Sequence, residues 1–135
     1  MKKSVFVLMF MLVSLCAFAE KQISVNELPA DAKSFLNTHF TNVAIATVEK
    51  DFENLSIEYE VKLVDGTEID FDSKGVWKSI SVLDGKAIPS EIIPKCVSNY
   101  LKSKGKNQQV EELSRERRGY YEVELSNGEE LHIKV

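Results

Sequence analysis

The residues of this sequence best placed to do chemistry are carboxylates spaced two apart. Glu58, Glu60, Glu68, Asp70 and Asp72 form one set, and Glu122, Glu124 and Glu130 a second. In an extended chain, positions i, i+2 and i+4 share a face, so each set could gather a hard cation such as calcium or supply an acid/base pair. Two considerations weaken both readings. Calcium loops carry an Asp-x-Asp-x-Asp-Gly run, which is missing here. Acid/base work needs a concave, partly dry site to separate two carboxyl pKa values, and nothing in the sequence signals one. Lys62, Lys78 and Lys134 interleave with the carboxylates, so a solvated, cross-paired face is the expectation.

The other reactive groups are few. His39 and His132 have no His or Cys neighbour at zinc-ligand spacing. Cys96 falls on an apolar helical stripe and reads as a small buried hydrophobe. There is no G-x-S-x-G, no G-x-G-x-x-G and no phosphate loop. The basic run Arg115-Glu116-Arg117-Arg118 reads as a charged strand end and turn. No catalytic residue, cofactor or metal site is expected, and the chain is not expected to be an enzyme.

The carboxylates sit on two hairpins that resemble each other. In residues 57–72, Tyr59, Val61 and Leu63 alternate with Glu58, Glu60 and Lys62, and Ile69 and Phe71 alternate with Glu68, Asp70 and Asp72. In residues 120–135, Tyr121, Val123 and Leu125 alternate with Tyr120, Glu122 and Glu124, and Leu131, Ile133 and Val135 with Glu130, His132 and Lys134. Period-two alternation marks strands buried on one face only. Asp65-Gly66 and Asn127-Gly128 divide the hairpins, and both dipeptides predict two-residue type I′ turns.

Further elements flank each hairpin. Ala32, Phe35, Leu36, His39 and Phe40 follow helical spacing behind Pro29, which suits a first turn. Residues 43–51 read as a strand whose buried side is ambiguous, and residues 76–82 as another. Trp77 and Ile80 differ in parity there, which predicts either a bulge between them or an exposed apolar face. Ile92, Ile93, Cys96, Val97, Tyr100 and Leu101 give a second helical face, starting between Ser90 and Ile93 so that Pro94 stays in the first turn. Tyr100 and Trp77 are expected in the core. A strand over 110–117 and an Arg118-Gly119 turn lead to the second hairpin, and residues 20–27 read as a loose lead-in.

Met1-Lys2-Lys3, an apolar run to Phe18, and Ala17-Phe18-Ala19 form a secretory leader, with cleavage expected after Ala19. Leu15 before Cys16 argues against lipidation at that cysteine. Residues 20–86 then form a first helix-plus-sheet repeat and residues 87–135 a second. The formal net charge is −4 and becomes more negative once Lys2 and Lys3 leave, which disfavours nucleic acid as a partner. No later stretch is long and apolar enough to span a membrane as a helix. Periplasmic localisation follows.

Helices and strands come in blocks, which argues an α+β fold: a tandem duplication with both helices on one face of an antiparallel sheet. Each half offers too few core residues to offset the entropy of ordering its chain, so the halves are expected to share one core.

The stretch YEVKLVDGTEIDFDSKGVWKSI and its second pass YYEVELSNGEELHI, with a Leu28-Pro29 helix entry and an Ile88-Pro89 restart, resemble the PepSY-like exported proteins with the β-lactamase-inhibitor-protein-like fold. The likeness covers nearly the whole chain after the leader and departs at Lys134-Val135, before a second Asp-x-x-Gly-x-Trp element. It implies two tandem helix-plus-sheet units in a periplasmic binding or inhibitor-type module, and it carries over no catalytic residue. The expected function is a non-enzymatic module that binds a periplasmic or cell-surface protein or peptide through the outer sheet face. Its expected contacts are Glu58, Glu60, Lys62, Tyr120, Glu122 and Glu124, with exposed Tyr120 offering large area and a polar tip. The alternative is a cation- or small-ligand-responsive module using the same acidic face.

Overall fold

The computed structural model describes residues 21–53 and 55–135. The expected leader at residues 1–19, with Cys16 and the expected cleavage point after Ala19, lies outside them, as do residues 20 and 54. Eight strands form one antiparallel sheet in sequence order: β1 (Lys21–Gln22), β2 (Ile45–Glu53), β3 (Ser56–Leu63), β4 (Glu68–Phe71), β5 (Trp77–Ser81), β6 (Val110–Glu116), β7 (Tyr120–Leu125) and β8 (Glu130–Lys134). Helix α1 (Ala30–His39) precedes β2, and α2 (Lys95–Ser103) precedes β6.

Alternation places one apolar row across the sheet. Val48 pairs with Val61, Val61 with Ile69, Ile69 with Ile80, Ile80 with Leu113, and Leu113 with Val123. All six are buried, in one cluster with Leu28, Ala32 and Leu36 from the α1 region and Val97 and Leu101 from α2. Phe35 of α1 meets Phe71 of β4 edge-on at 5.7 Å. Both helices thus cover the same face of a continuous sheet. The seam between the halves is the β5–β6 pairing, and the linker is stitched to β6 as well. Val82 and Ile88 donate their amides to Glu111 and Val110, while the buried Glu111 carboxylate accepts from the Gly85 amide.

Three register shifts explain where side chains change faces. Of the two outcomes expected in β5, the bulge is present: Asp70 pairs with Ser79 but Phe71 with Trp77, so Trp77 and Ile80 both point inward. β2 has a shift between Ile45 and Thr47, and β6 between Val110 and Glu112. The one in β2 is why neither side of residues 43–51 looked consistently apolar.

Several expectations need correction. The hairpin turns are three-residue loops, not type I′ pairs. Gly66 has φ +88° and Gly128 φ +84°, but Asp65 and Asn127 keep negative φ. Gly66 N–H donates to Leu63 O and Gly128 N–H to Leu125 O, while the Asp65 and Asn127 side chains accept from the amides of Thr67 and Glu129. An Asx side chain that caps its own turn releases the second residue from left-handed backbone. Helix α2 begins at Lys95 with Pro94 as N-cap, later than expected. The lead-in holds β1 and a 3₁₀ turn, Val25–Glu27, closed by a Ser24/Glu27 capping box. Tyr100 is half-buried at the core margin, with the Lys104 ammonium 5.8 Å from its ring.

Candidate functional site

The face opposite the helices carries the polar half of each strand. One cross-strand row runs Glu49, Glu60, Asp70, Ser79, Ser114, Glu122, His132. The next runs Thr47, Lys62, Glu68, Ser81, Glu112, Glu124, Glu130. Glu58, Glu60 and Lys62 lie on β3, and Tyr120, Glu122 and Glu124 on β7. The two groups share a face but are four strand spacings apart, roughly 19 Å at about 4.8 Å per strand. They are two ends of one surface, not one cluster.

The β3 end is a network of opposite charges. The Lys62 ammonium is 3.1 Å from Glu60 and 3.9 Å from Glu68. Burial alone would lower the Lys62 pKa. The Glu60 hydrogen bond and the charges of Glu60, Glu68 and Glu49 outweigh that and hold it above the ordinary lysine value. Glu68 is pushed up by burial, opposed by Lys62 and reinforced by Glu60 and Glu49. Asp72, expected on this face, instead closes the β4–β5 turn: its carboxylate accepts from the amides of Lys74 and Val76, both at 2.9 Å.

Between the two ends is a groove of about 280 Å³, lined by Glu58, Asp70, Lys78, Ser79, Ser114, Arg115, Glu116 and Arg117. Its origin is local. The β5–β6 ladder runs only from Ser79–Ser114 to Ser81–Glu112, and past Ser79 the strands part at the β5 bulge. The two serines facing each other there are too short to fill the space. Lys78 is paired with Glu58. Asp70 accepts a hydrogen bond from the Ser79 hydroxyl at 2.7 Å. Burial raises the Asp70 pKa to about 6 against the Ser79 bond, helped by Glu60, Glu58 and Glu68. The carboxyl group at the groove floor is therefore partly protonated near pH 6.

This groove was not singled out from the sequence. Its one available signal is a pair of small polar residues, Ser79 and Ser114, at outward positions where neighbouring strands place long charged side chains. Of the run 115–118, Arg115, Glu116 and Arg117 line the groove, and Arg115 also stacks its guanidinium 4.0 Å from the centre of the Trp77 ring. The histidines are far apart in the fold. His39 lies 3.5 Å from Glu91 and 4.7 Å from the Phe35 ring, while His132 is on the last strand. Cys96 is half-buried against the core. Among the described residues no three His, Cys, Asp or Glu side chains are arranged to hold a metal ion, and no helix is long and apolar enough to cross a membrane.

Residues 57–135 match a family model described as "Putative beta-lactamase-inhibitor-like, PepSY-like". Solved structures share the fold. A "putative periplasmic protein" of the DUF2874 family from Bacteroides vulgatus is 29% identical with a TM-score of 0.79, covering 86% of this chain and 90% of its own. A second B. vulgatus protein, "of unknown function", is 32% identical with a TM-score of 0.79, covering 85% and 91%. A "putative calcium-regulated periplasmic protein" from Bacteroides thetaiotaomicron is 30% identical with a TM-score of 0.76, covering 84% and 87%. No curated protein sequence matches this chain.

Proposed function

The chain belongs to the PepSY-like, β-lactamase-inhibitor-like family, and from that membership we propose that it is an exported, non-enzymatic module that binds a periplasmic protein or peptide. The leader at residues 1–19 delivers it, and all three structural relatives are described as periplasmic proteins, in keeping with that destination. The observation that carries the proposal is the one-sided cover of the sheet. Both helices pack on one face, and the other presents two long polar rows, the first of which crosses a groove at Asp70, Ser79 and Ser114.

The contact surface runs from Glu58, Glu60 and Lys62 across the groove to Tyr120, Glu122 and Glu124. Charges already paired within a rigid sheet lose little freedom on docking, and a rim of mixed sign selects a partner by complementarity more than by area. Tyr120, 37% exposed, is the aromatic anchor. The proposal is tested by pull-down from periplasmic extract, comparing wild type with a Glu60→Lys, Tyr120→Ala, Glu122→Lys triple variant. A partner lost in the variant supports this surface. Equal recovery of every partner rejects it.

The scaffold arose by tandem duplication on this reading. Supporting it, the β2 bulge lies opposite Leu63 and Lys62, and the β6 bulge lies opposite Leu125 and Glu124, the same place relative to each hairpin. The two Asx-Gly loops also share their hydrogen bonds.

One observation favours a second reading, a cation-responsive module: the B. thetaiotaomicron relative is described as calcium-regulated. Melting with increasing calcium separates the two. A binding site gives stabilisation that grows with concentration, and a constant melting temperature rejects the cation.

A further inference from the structure

The two edges of the sheet differ. One ends in β1, only two residues long and paired with Glu49 and Lys50 of β2. The other is β8, five residues long and last in the sheet. A strand edge of that length is a template for pairing with another chain unless it is blunted. In the first half, the corresponding strand β4 has its outer edge covered by β5. Among the described residues no strand covers β8.

The hydrogen-bond phase identifies which groups face outward. Leu125 N–H donates to Glu129 O, and Val135 N–H donates to Gly119 O. Hydrogen-bonded pairs with β7 therefore fall on the odd-numbered residues of β8. The amides and carbonyls of Glu130, His132 and Lys134 point to the open edge, and all three side chains are exposed.

We propose that β8 is a self-association edge: two copies of this chain pair antiparallel through β8 about a two-fold axis at His132, joining their sheets. This register sets His132 opposite its own copy and Glu130 opposite Lys134 of the second copy, twice by symmetry. All three outward-facing residues of each strand then form hydrogen-bonded pairs, and both flanking pairs carry opposite charges. On the helix side, Leu131 meets Ile133 of the second copy, extending the apolar row. Centring the axis on Glu130 or Lys134 opposes like charges, and centring it on Leu131 or Ile133 loses both Glu130–Lys134 pairs, so the His132 register is the one that pairs all three outward residues with two opposite-charge contacts.

Five residues per strand make a small interface, so association is expected to be weak, with a dissociation constant on the order of 10–100 μM. Sedimentation equilibrium on the purified protein tests it. Glu130→Lys or Lys134→Glu alone should raise the dissociation constant about tenfold, and the double reversal should return it to within about threefold of wild type. Amide exchange at Glu130, His132 and Lys134 should slow as concentration rises. These variants alter exposed side chains and should leave the fold intact. A wild type that stays monomeric to about 1 mM overturns the proposal, as does association that neither reversal weakens.

Discussion

Ile80 of β5 and Leu113 of β6, both buried, are paired across the seam between the two halves and make one core of what the sequence presents as two units. Residues 20–86 alone would expose Ile80 and the whole β5 edge. They are expected to show no cooperative thermal transition as a monomer. In the full chain, Ile80→Ala should cost about 2–5 kcal/mol, read from urea unfolding.

Gly75 and Gly128 both close hairpin loops at positive φ, yet they differ in surroundings. A Cβ on Gly75 would lie 2.7 Å from the Ala32 amide nitrogen and 2.9 Å from Pro29 Cβ, at the start of α1. A Cβ on Gly128 meets nothing within 4 Å. Gly128→Ala should therefore cost only backbone strain, about 1–2 kcal/mol, while Gly75→Ala should cost clearly more because α1 must shift. Chemical denaturation of the two variants side by side checks the order.

Asp70 carries a stability penalty that depends on pH. Its folded pKa, about 6, lies above the ordinary carboxylate value, so between those two values the folded state binds more protons than the unfolded state. Stability attributable to this group is greatest when it is protonated and falls as pH rises through 6. Asp70→Asn should therefore stabilise the protein by about 1–2 kcal/mol at pH 7.5, with the gain vanishing near pH 4. A gain that persists unchanged at pH 4 would assign the effect to something other than ionisation.

The hairpins, the one-sided helical cover and the β5 bulge were legible because each rests on a local pattern. Tyr59, Val61 and Leu63 alternate cleanly, and the parity conflict of Trp77 with Ile80 leaves two outcomes, a bulge or an exposed apolar side chain, of which the structure has the bulge. The turn type was not legible. Asp-Gly and Asn-Gly permit either loop, and the choice is made by the Asx carbonyl oxygen capping the next strand. The bulges in β2 and β6 carry the same sign, since Ile45 with Val48 and Val110 with Leu113 differ in parity as Trp77 and Ile80 do, but Ala46 and Thr47 of β2 and the glutamates of β6 blur it. At the candidate site the acidic face was legible, but its groove depends on where β5 and β6 part, a relation between residues distant in sequence. Asp72 looked like one more outward carboxylate because the alternation continues through it, whereas β4 ends at Phe71.

The central claim is that the uncovered face of the sheet is where a partner docks. A photo-crosslinking residue placed at Ser79 or Tyr120, and in separate variants at exposed Asn37 of α1 or Lys102 of α2, tests this directly in intact cells. Higher-mass adducts with a common partner should form from Ser79 and Tyr120 and be absent from Asn37 and Lys102. Adducts confined to the helix positions, or equal from both faces, would contradict the account.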